Sequence, residues 1–364
     1  MRPMSILNKK IFSNASSIFG LDLSDLSVKL IKFEDNGREK EVASYGCVQL
    51  PVGAISDGEI KKKEQVVDAI KKLIEISGPK KIKTRKVICS LPETKAFLRI
   101  ISIPKMDDKE IGEAVKWEME ANIPLPLEQV YYDWQMVTEA LTTEKNKINL
   151  LVVAVSKATV DEAIEVIEMA GLRVVGLEIE SIAQARSLLC CDDYGKTVLI
   201  VDIGDRRTSF SISKEGVPCF TSSVPLSGQT LSDVISKGMG ISFEEAEKIK
   251  FTHGIGCDPK DDALFKIVQP ILESFSQEIE RSINFYLSGL GYSKKIDKII
   301  ICGGGANTKG IMPYLSKKLG QEIQLGDPWS NITLGKKSPI IEKNQSLQYS
   351  TAIGLALKGL QYED

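Results

Sequence analysis

The sequence predicts an α/β protein in which two similar lobes face a common cleft and a small α+β module is inserted in the first lobe. Each half of the chain opens with three strands joined by tight turns, and the first strand of each half carries an aspartate, Asp22 or Asp202, near its end. Residues 95–175 follow a separate strand and helix pattern. The 364 residues exceed one ordinary core and suit two lobes.

The first lobe is predicted to comprise residues 1–94 and 176–196. An Asn-Gly turn at 36–37 joins its second strand to its third. The three strands are expected at residues 18–25, 27–34 and 41–51. Apolar residues recur at helical spacing over residues 64–77, which predicts a helix before the following Gly-Pro pair, and an apolar strand follows at 86–91.

The inserted module, residues 95–175, is predicted to have the order β-α-β-β-α. Its first strand stops at Pro104, and a continuous apolar run at 148–155 predicts a buried strand. Thr159 and Glu162 have the spacing of a capping box at the start of the last helix. The module is therefore expected to have its own small core.

The second lobe is predicted over residues 197–240 and 263–364, with a smaller subdomain at 241–262. It repeats the opening of the first lobe with strands at residues 197–203, 208–213 and 217–224. An apolar stripe predicts one long helix over residues 263–290. A buried strand at 298–302 then leads into three glycines.

The composition argues against several classes of protein. With 47 basic and 49 acidic residues, the chain lacks the basic excess that a nucleic-acid-binding protein usually has. A single histidine, His253, argues against histidine-based catalysis, and seven scattered cysteines fit a reducing compartment. No run approaches 18 apolar residues, so a membrane-spanning helix is not expected.

Three segments have the features of a phosphate-binding site. In segments 19–29 and 200–209 an aspartate precedes a tight turn, which brings a carboxylate close to several backbone N–H groups. Such N–H groups suit phosphate oxygens, and the carboxylate suits hydrated Mg²⁺. Either segment alone resembles an ordinary hairpin, but two that face each other favour a phosphate clamp. In the third segment, a buried strand runs into Gly303, Gly304 and Gly305, which allow close approach of the backbone to a ligand.

Two further segments carry charged residues whose role the pattern leaves open. Glu247 and Lys250 are three residues apart on a predicted helix and share a face, so they suit either a ribose and base or a surface ion pair. Glu180 lies where the chain returns to the first lobe. A carboxylate there could orient an attacking water, although a solvated glutamate fits the pattern as well.

Taken in order, these segments resemble the phosphate-1, connect-1, phosphate-2, ribose and adenosine motifs of the actin, heat-shock chaperone and sugar kinase superfamily. Residues 351–356 resemble its connect-2 motif. The resemblance implies a two-lobed actin-like fold, a duplicated ribonuclease-H-like unit. The insert is similar to the 1C module of the cell-division protein FtsA. Within it, Ile103-Pro104, Trp117-Glu118 and the run at 123–127 before Tyr132-Asp133 are similar to the PilM family of type IV pilus assembly.

This resemblance implies that ATP and Mg²⁺ bind between the lobes. Asp22 and Asp202 would hold the metal through water. The nucleotide would contact the residues at the other motif positions: Gly20, Ser24, Lys29, Gly204, Thr208, Gly228, Glu247, Lys250, Gly303, Gly304 and Gly305. Glu180 would be the catalytic residue of any hydrolysis.

The chain departs from the family pattern in its phosphate loops. Ser24 stands where glycine is usual, Asp205-Arg206-Arg207 replaces small residues, and Ser227 replaces the first glycine of a pair. Larger side chains crowd the phosphates and Asp205 repels them, whereas an arginine would neutralise them. The resemblance therefore implies nucleotide binding and leaves open whether the protein is a weak ATPase.

PilM-like proteins bind the N-terminal tail of an inner-membrane partner, PilN, in a groove between the first lobe and the insert. The resemblance implies a cytoplasmic protein held at the inner face of the inner membrane through such a partner, with pilus assembly ATPases as further candidate partners. Trp117, Tyr132 and Trp134 are candidates for the groove, although aromatic residues also fill the core of small modules.

Three other functions remain open on the sequence. An FtsA-like division protein would carry a C-terminal amphipathic membrane helix, whereas this sequence ends in a short acidic segment. A sugar or acid kinase of the same superfamily would need a catalytic base from the first lobe, for which no clear candidate stands out. A relative from a secretion system would keep the fold with a degenerate nucleotide site.

Overall fold

The structure, a computed structural model, has one large β-sheet in each of two lobes and a third sheet in the inserted module. It describes residues 18–361 except for 36–38, 124, 138–145, 254, 256–262, 290–294, 337 and 340. The turn predicted at 36–37, the segment before residue 18 and part of the predicted subdomain at 241–262 lie outside the described residues.

Within the described residues, the first lobe contains a sheet of six strands and a short hairpin. They are β1 (Ile18–Leu23), β2 (Ser27–Asp35), β3 (Lys40–Gln49), the hairpin β4 (Ile55–Ser56) and β5 (Glu59–Ile60), β6 (Gly78–Pro79), β7 (Lys86–Leu91) and β11 (Arg173–Ile179). The sheet has the order β11-β7-β1-β2-β3-β6, with β1 antiparallel to β2 and parallel to β7. Helix α1 (Lys63–Ile76) packs Val67, Ile70 and Leu73 on one face, as its periodicity predicted.

The inserted module has the predicted order β-α-β-β-α. Its elements are β8 (Ala96–Pro104), α2 (Asp108–Asn122), β9 (Val130–Met136), β10 (Lys147–Ser156) and α3 (Lys157–Met169). Strand β10 is central, and its side chains alternate: Val152 faces α2, whereas Leu151 faces α3 and the first lobe. The capping box predicted at Thr159 and Glu162 is wrong, because α3 begins earlier and the Ser156 hydroxyl accepts the Thr159 N–H at 3.2 Å.

The second lobe repeats the topology of the first. Its strands are β12 (Thr197–Ile203), β13 (Thr208–Lys214), β14 (Val217–Val224), β15 (Lys298–Cys302) and β16 (Ile323–Leu325). Strand β12 is antiparallel to β13 and parallel to β15, as β1 is to β2 and β7, so the duplication predicted from the sequence is present. The two central strands, β1 and β12, are therefore equivalent.

Helices cover this second sheet and link it to the first lobe. They are α4 (Glu180–Leu188), α5 (Gly228–Met239), α6 (Phe243–Thr252), α7 (Ala263–Asn284), α8 (Ile311–Leu319), α9 (Lys343–Ser346) and α10 (Ser350–Gln361). The long helix predicted to residue 290 ends as an α-helix at Asn284, and residues 285–289 continue it as a wider π-helical turn. No described helix has the length and hydropathy needed to cross a membrane.

The last helix, α10, packs against β1 and α4 of the first lobe. A Cβ atom at Gly354 would lie 1.8 Å from the Ala183 carbonyl oxygen, and one at Gly20 would lie 2.3 Å from the Ala352 carbonyl oxygen. Glycine at both positions lets the backbones touch. Although α10 falls in the range 263–364 predicted for the second lobe, its packing partners are in the first.

Replacing Gly354 with alanine is expected to lower the free energy of unfolding by about 1–3 kcal/mol, because the added methyl group collides with backbone atoms. Gly112 is the matched control, since it lies in α2 with open space around its Cβ position. Alanine there should raise the free energy of unfolding by about 0.5–1 kcal/mol. Chemical denaturation measures both, and effects of the same sign would contradict the described packing.

Candidate functional site

A cavity of about 170 Å³ between the lobes, the interlobe cavity, is lined by both phosphate-loop segments. Because β1 and β12 are equivalent, the turns that follow them meet there. The cavity brings together these predicted site residues: Asp22, Ser24, Lys29, Glu180, Asp202, Gly204, Gly303 and Gly304. The two loops and the glycine segment thus form one site, as a clamp on an anionic ligand requires.

Asp22 lies in a buried hydrogen-bond network at this cavity. Its Oδ2 accepts from Lys29 Nζ at 3.3 Å and from Ser24 Oγ at 3.2 Å, and its Oδ1 accepts from Ser90 Oγ at 3.2 Å. Burial lowers the pKa of Lys29, but the carboxylate of Asp22 and other anionic neighbours outweigh this effect and raise the pKa above its ordinary value. Lys29 is therefore a cation that balances the charge of Asp22.

Asp202 has a neutral partner instead. Gln184 Nε2 donates to Asp202 Oδ2 at 2.6 Å and to Thr351 Oγ1 at 3.1 Å. Burial raises the pKa of Asp202 to about 6; the hydrogen bond from Gln184 opposes this shift and the carboxylate of Asp22 adds to it. A cation beside Asp202 would favour its charged form. Sequence reasoning missed Gln184, although it lies one helical turn after Glu180.

The two carboxylates fit a hydrated divalent cation. Within the described part of the chain, no three His, Cys, Asp or Glu side chains are grouped closely enough to enclose a metal ion. Mg²⁺ usually keeps several waters and binds one or two carboxylates together with phosphates of the substrate. Asp22 and Asp202 line one cavity and offer the hard oxygen atoms that Mg²⁺ prefers.

The glycine segment allows the backbone to lie against Asp202. Gly303 has a φ of +82°, and a Cβ atom there would lie 2.1 Å from Asp202 Oδ1. At Gly305 a Cβ atom would lie 2.3 Å from a side-chain carbon of Ile203. At Gly304, in contrast, the nearest such atom is 3.8 Å away, so this backbone is open to a ligand.

Two glutamates face each other at the cavity, at the start of α4 and after β7. Glu180 Oε2 accepts from the Glu93 backbone N–H at 3.4 Å, and Glu93 Oε2 accepts from the Ser181 backbone N–H at 3.2 Å. Burial raises the pKa of both side chains, and the carboxylates of Asp22, Glu93 and Asp202 raise that of Glu180 further. The sequence indicated Glu180 but not Glu93.

The remaining predicted ligands lie outside the lining of the interlobe cavity. Gly20 packs on α10, Thr208 is buried in β13, and Gly305 packs on Ile203. Gly228 donates its N–H to the Gly204 carbonyl at 3.0 Å and so stabilises the second phosphate loop, in segment 200–209.

Lys250 is tied into the second lobe. It is 3% exposed, and its Nζ donates to the Gly228 carbonyl at 3.0 Å, Ser232 Oγ at 2.9 Å and Glu247 Oε1 at 2.5 Å. Glu247 also accepts from the Ser232 hydroxyl. Because all three donor directions of Lys250 are used, the pair formed with Glu247 holds α6 to the start of α5 in this structure.

A second concave surface, which we call the α4 groove, has a volume of about 590 Å³. It lies between the end of β9, one side of α4, the start of β14 and the end of α10. Its apolar lining includes Met136, Val137, Leu151, Ile182, Leu189 and Leu360. Strand β9 is an edge strand of the insert sheet, and its last residues reach this groove.

The three aromatic residues predicted for a partner groove do not line the α4 groove. Trp117 is 71% exposed on α2, and Tyr132 is 39% exposed on β9. Trp134 packs against the core between the insert sheet and α2. Trp117 and Tyr132 are therefore accessible to solvent, but on surfaces of the insert outside the α4 groove.

Comparisons with known proteins match the chain to one family model and to related proteins. The profile of the family described as type IV pilus assembly protein PilM matches residues 20–360. The cell division protein FtsA of Bacillus subtilis (strain 168) is 22% identical over 94% of this chain and 83% of its own length.

Solved structures show the same architecture. One described as a PilM-PilN type IV pilus biogenesis complex superposes with a TM-score of 0.78, 25% identity and coverage of 94% of this chain and 98% of the other. MreB5 of Spiroplasma citri bound to AMPPNP superposes with a TM-score of 0.55 and 14% identity, over 95% of this chain and 97% of the other. The two-lobed actin-like fold predicted from the sequence is confirmed.

The raised pKa of Asp202 predicts a pH-dependent stability. Between pH 3.8 and about 6 the folded protein holds a proton that the unfolded chain has released, so stability falls as pH rises through this window. Asp202→Asn should therefore raise the free energy of unfolding by about 1–3 kcal/mol at pH 8, and the gain should vanish near pH 4. Denaturation at both pH values measures this. Asp192→Asn, at an exposed position outside the cavity, is the control and should have little effect at either pH. A pH-independent gain for Asp202→Asn would contradict burial of the charged carboxylate as the cause.

Proposed function

The chain belongs to the PilM family of type IV pilus assembly proteins, and from this premise we propose that it is an ATP-binding scaffold that also binds the N-terminal tail of a PilN-like membrane protein. One observation carries the nucleotide half of the proposal. The equivalent strands β1 and β12 each place an aspartate at the interlobe cavity. Glycine backbone that is open to a ligand lines the same cavity.

Within this proposal, each part of the cavity has a distinct role. Asp22 and Asp202 hold Mg²⁺ through water, and the metal neutralises charge on the phosphates. The backbone of Gly304 contacts phosphate oxygens, since it has no side chain to keep a ligand away. Lys29 pairs with the Asp22 carboxylate at 3.3 Å and orients it toward the site.

We propose binding with slow turnover rather than efficient hydrolysis. A carboxylate that orients and deprotonates water must itself be ionised. Burial and three neighbouring carboxylates raise the pKa of Glu180 well above its ordinary value, which favours the protonated form. In this environment Glu180 is thus a poor base.

The partner half of the proposal rests on the α4 groove. It has apolar side chains in its lining, it lies where the insert meets both lobes, and the edge strand β9 reaches it. An extended tail can pair its backbone with an edge strand and place alternate side chains in such a groove. The similar solved structure is named as a complex with PilN. Through that partner, we propose, the protein is held at the inner face of the inner membrane.

Calorimetry with ATP and Mg²⁺ tests the nucleotide half. Asp202→Asn should weaken binding of ATP with Mg²⁺ by at least about tenfold, because one of the two metal-holding carboxylates is lost. Binding of ATP in the presence of a chelator should change much less. Asp192→Asn, an exposed site outside the cavity, is the control. Wild-type protein that binds no ATP would refute this half.

Titration with a synthetic PilN-like tail peptide tests the partner half. Met136→Glu places a charge in the α4 groove and should weaken peptide binding by at least about tenfold. Met169→Glu is a matched control, because Met169 is 46% exposed against 52% for Met136 and does not line the groove. A loss on Trp117→Ala with none on Met136→Glu would refute the groove and place the tail on the α2 side.

A further inference from the structure

A salt bridge between Arg207 and Asp57 connects the second phosphate loop to the first lobe. Arg207 Nη1 donates to Asp57 Oδ1 at 2.9 Å, and its Nε donates to Ser223 Oγ at 3.0 Å. Since Ser223 belongs to β14, the second lobe orients the guanidinium and the first lobe supplies its carboxylate. The bridge thus joins the lobes beside the cavity that both phosphate loops line.

The first phosphate loop, in segment 19–29, positions the hairpin that supplies Asp57 to this salt bridge. Asp57 lies between β4 and β5 with a φ of +52°, a conformation that few residues other than glycine adopt. The backbone N–H groups of Asp57 and Gly58 both donate to the Asp25 carboxylate at 3.1 Å. Asp25 directly follows Ser24, which lines the interlobe cavity, so the hairpin that carries Asp57 is attached to the loop predicted to hold phosphate.

Asp57 is a weak partner for Arg207. The Asp57 side chain is 69% exposed, and water screens such an ion pair to a small net stabilisation. A polyphosphate carries more charge and presents oxygen pairs that match the donor fork of a guanidinium. Arg207 also lines the interlobe cavity together with Asp22, Asp202 and Gly303. A phosphate bound there would compete with Asp57 for the same side chain.

We propose that Arg207 binds the terminal phosphate of a nucleoside triphosphate and gives up Asp57 when it does so. This inference rests on the proposed nucleotide binding. A diphosphate lacks the terminal phosphate, so the salt bridge persists with it. Arg207 therefore makes the site distinguish a triphosphate from a diphosphate, and binding of the triphosphate frees the β4–β5 hairpin from the second lobe.

Calorimetry with AMPPNP and with ADP, each with Mg²⁺, tests this exchange. Arg207→Gln should weaken AMPPNP binding by at least about tenfold and ADP binding by less than about threefold, because only the triphosphate loses a charged hydrogen-bond donor. Asp57→Asn should act in the opposite direction and strengthen AMPPNP binding by about threefold, since the competing carboxylate is gone. Arg206→Gln removes the same charge from the exposed neighbouring position and is the matched control.

The outcomes distinguish failure of the exchange at Arg207 from failure of the proposed nucleotide binding. Equal losses for AMPPNP and ADP in Arg207→Gln would overturn the exchange and leave nucleotide binding in place. The exchange would also be overturned if Arg206→Gln weakened AMPPNP binding as selectively as Arg207→Gln does, or if Asp57→Asn weakened AMPPNP binding. Wild-type protein that binds neither nucleotide would overturn the proposed function itself. Thermal unfolding of each variant, compared with wild type, excludes loss of fold as the cause.

Discussion

Two carboxylates that share one cavity, buried Asp22 and half-buried Asp202, are the constraint on which the rest of the structure depends. Like charges in a region of low dielectric constant repel, so each must be stabilised or neutralised. Asp22 has a lysine and two hydroxyl groups as partners, whereas Asp202 has the neutral amide of Gln184. Burial raises the pKa of Asp202 to about 6, so a cation bound beside it would favour its charged form.

The packed helices α4 and α10 connect Asp202 of the second lobe to the first lobe. Gln184 in α4 donates to Asp202 of the second lobe and to Thr351 of α10. Contact between these helices depends on Gly354, where a side chain would collide with Ala183. Helices α4 and α10 thus join the lobes. They do so through the hydrogen bond of Gln184 at the cavity and the close backbone contact at Gly354.

Helix α4 also separates the two candidate binding surfaces. Glu180 and Gln184 line the interlobe cavity, whereas Ile182, near the start of the helix, and Leu189, just after its end, line the α4 groove. Because close-packed interiors transmit small displacements, a shift of α4 on one side changes the shape of the other. The nucleotide and the partner tail, in the proposed function, therefore bind to opposite sides of one short helix.

The order of residues along the chain was enough to predict the α/β class, the duplicated lobes, the order of the insert and the aspartates of the cavity, because these depend on local periodicity and on residues beside turns. The folded chain was needed to show that Lys250 binds the Gly228 carbonyl at the start of α5, that α10 packs on the first lobe, and that Arg207 pairs with Asp57, 150 residues away. These contacts join segments remote in the chain, and their formation depends on how whole lobes pack, which no local pattern encodes.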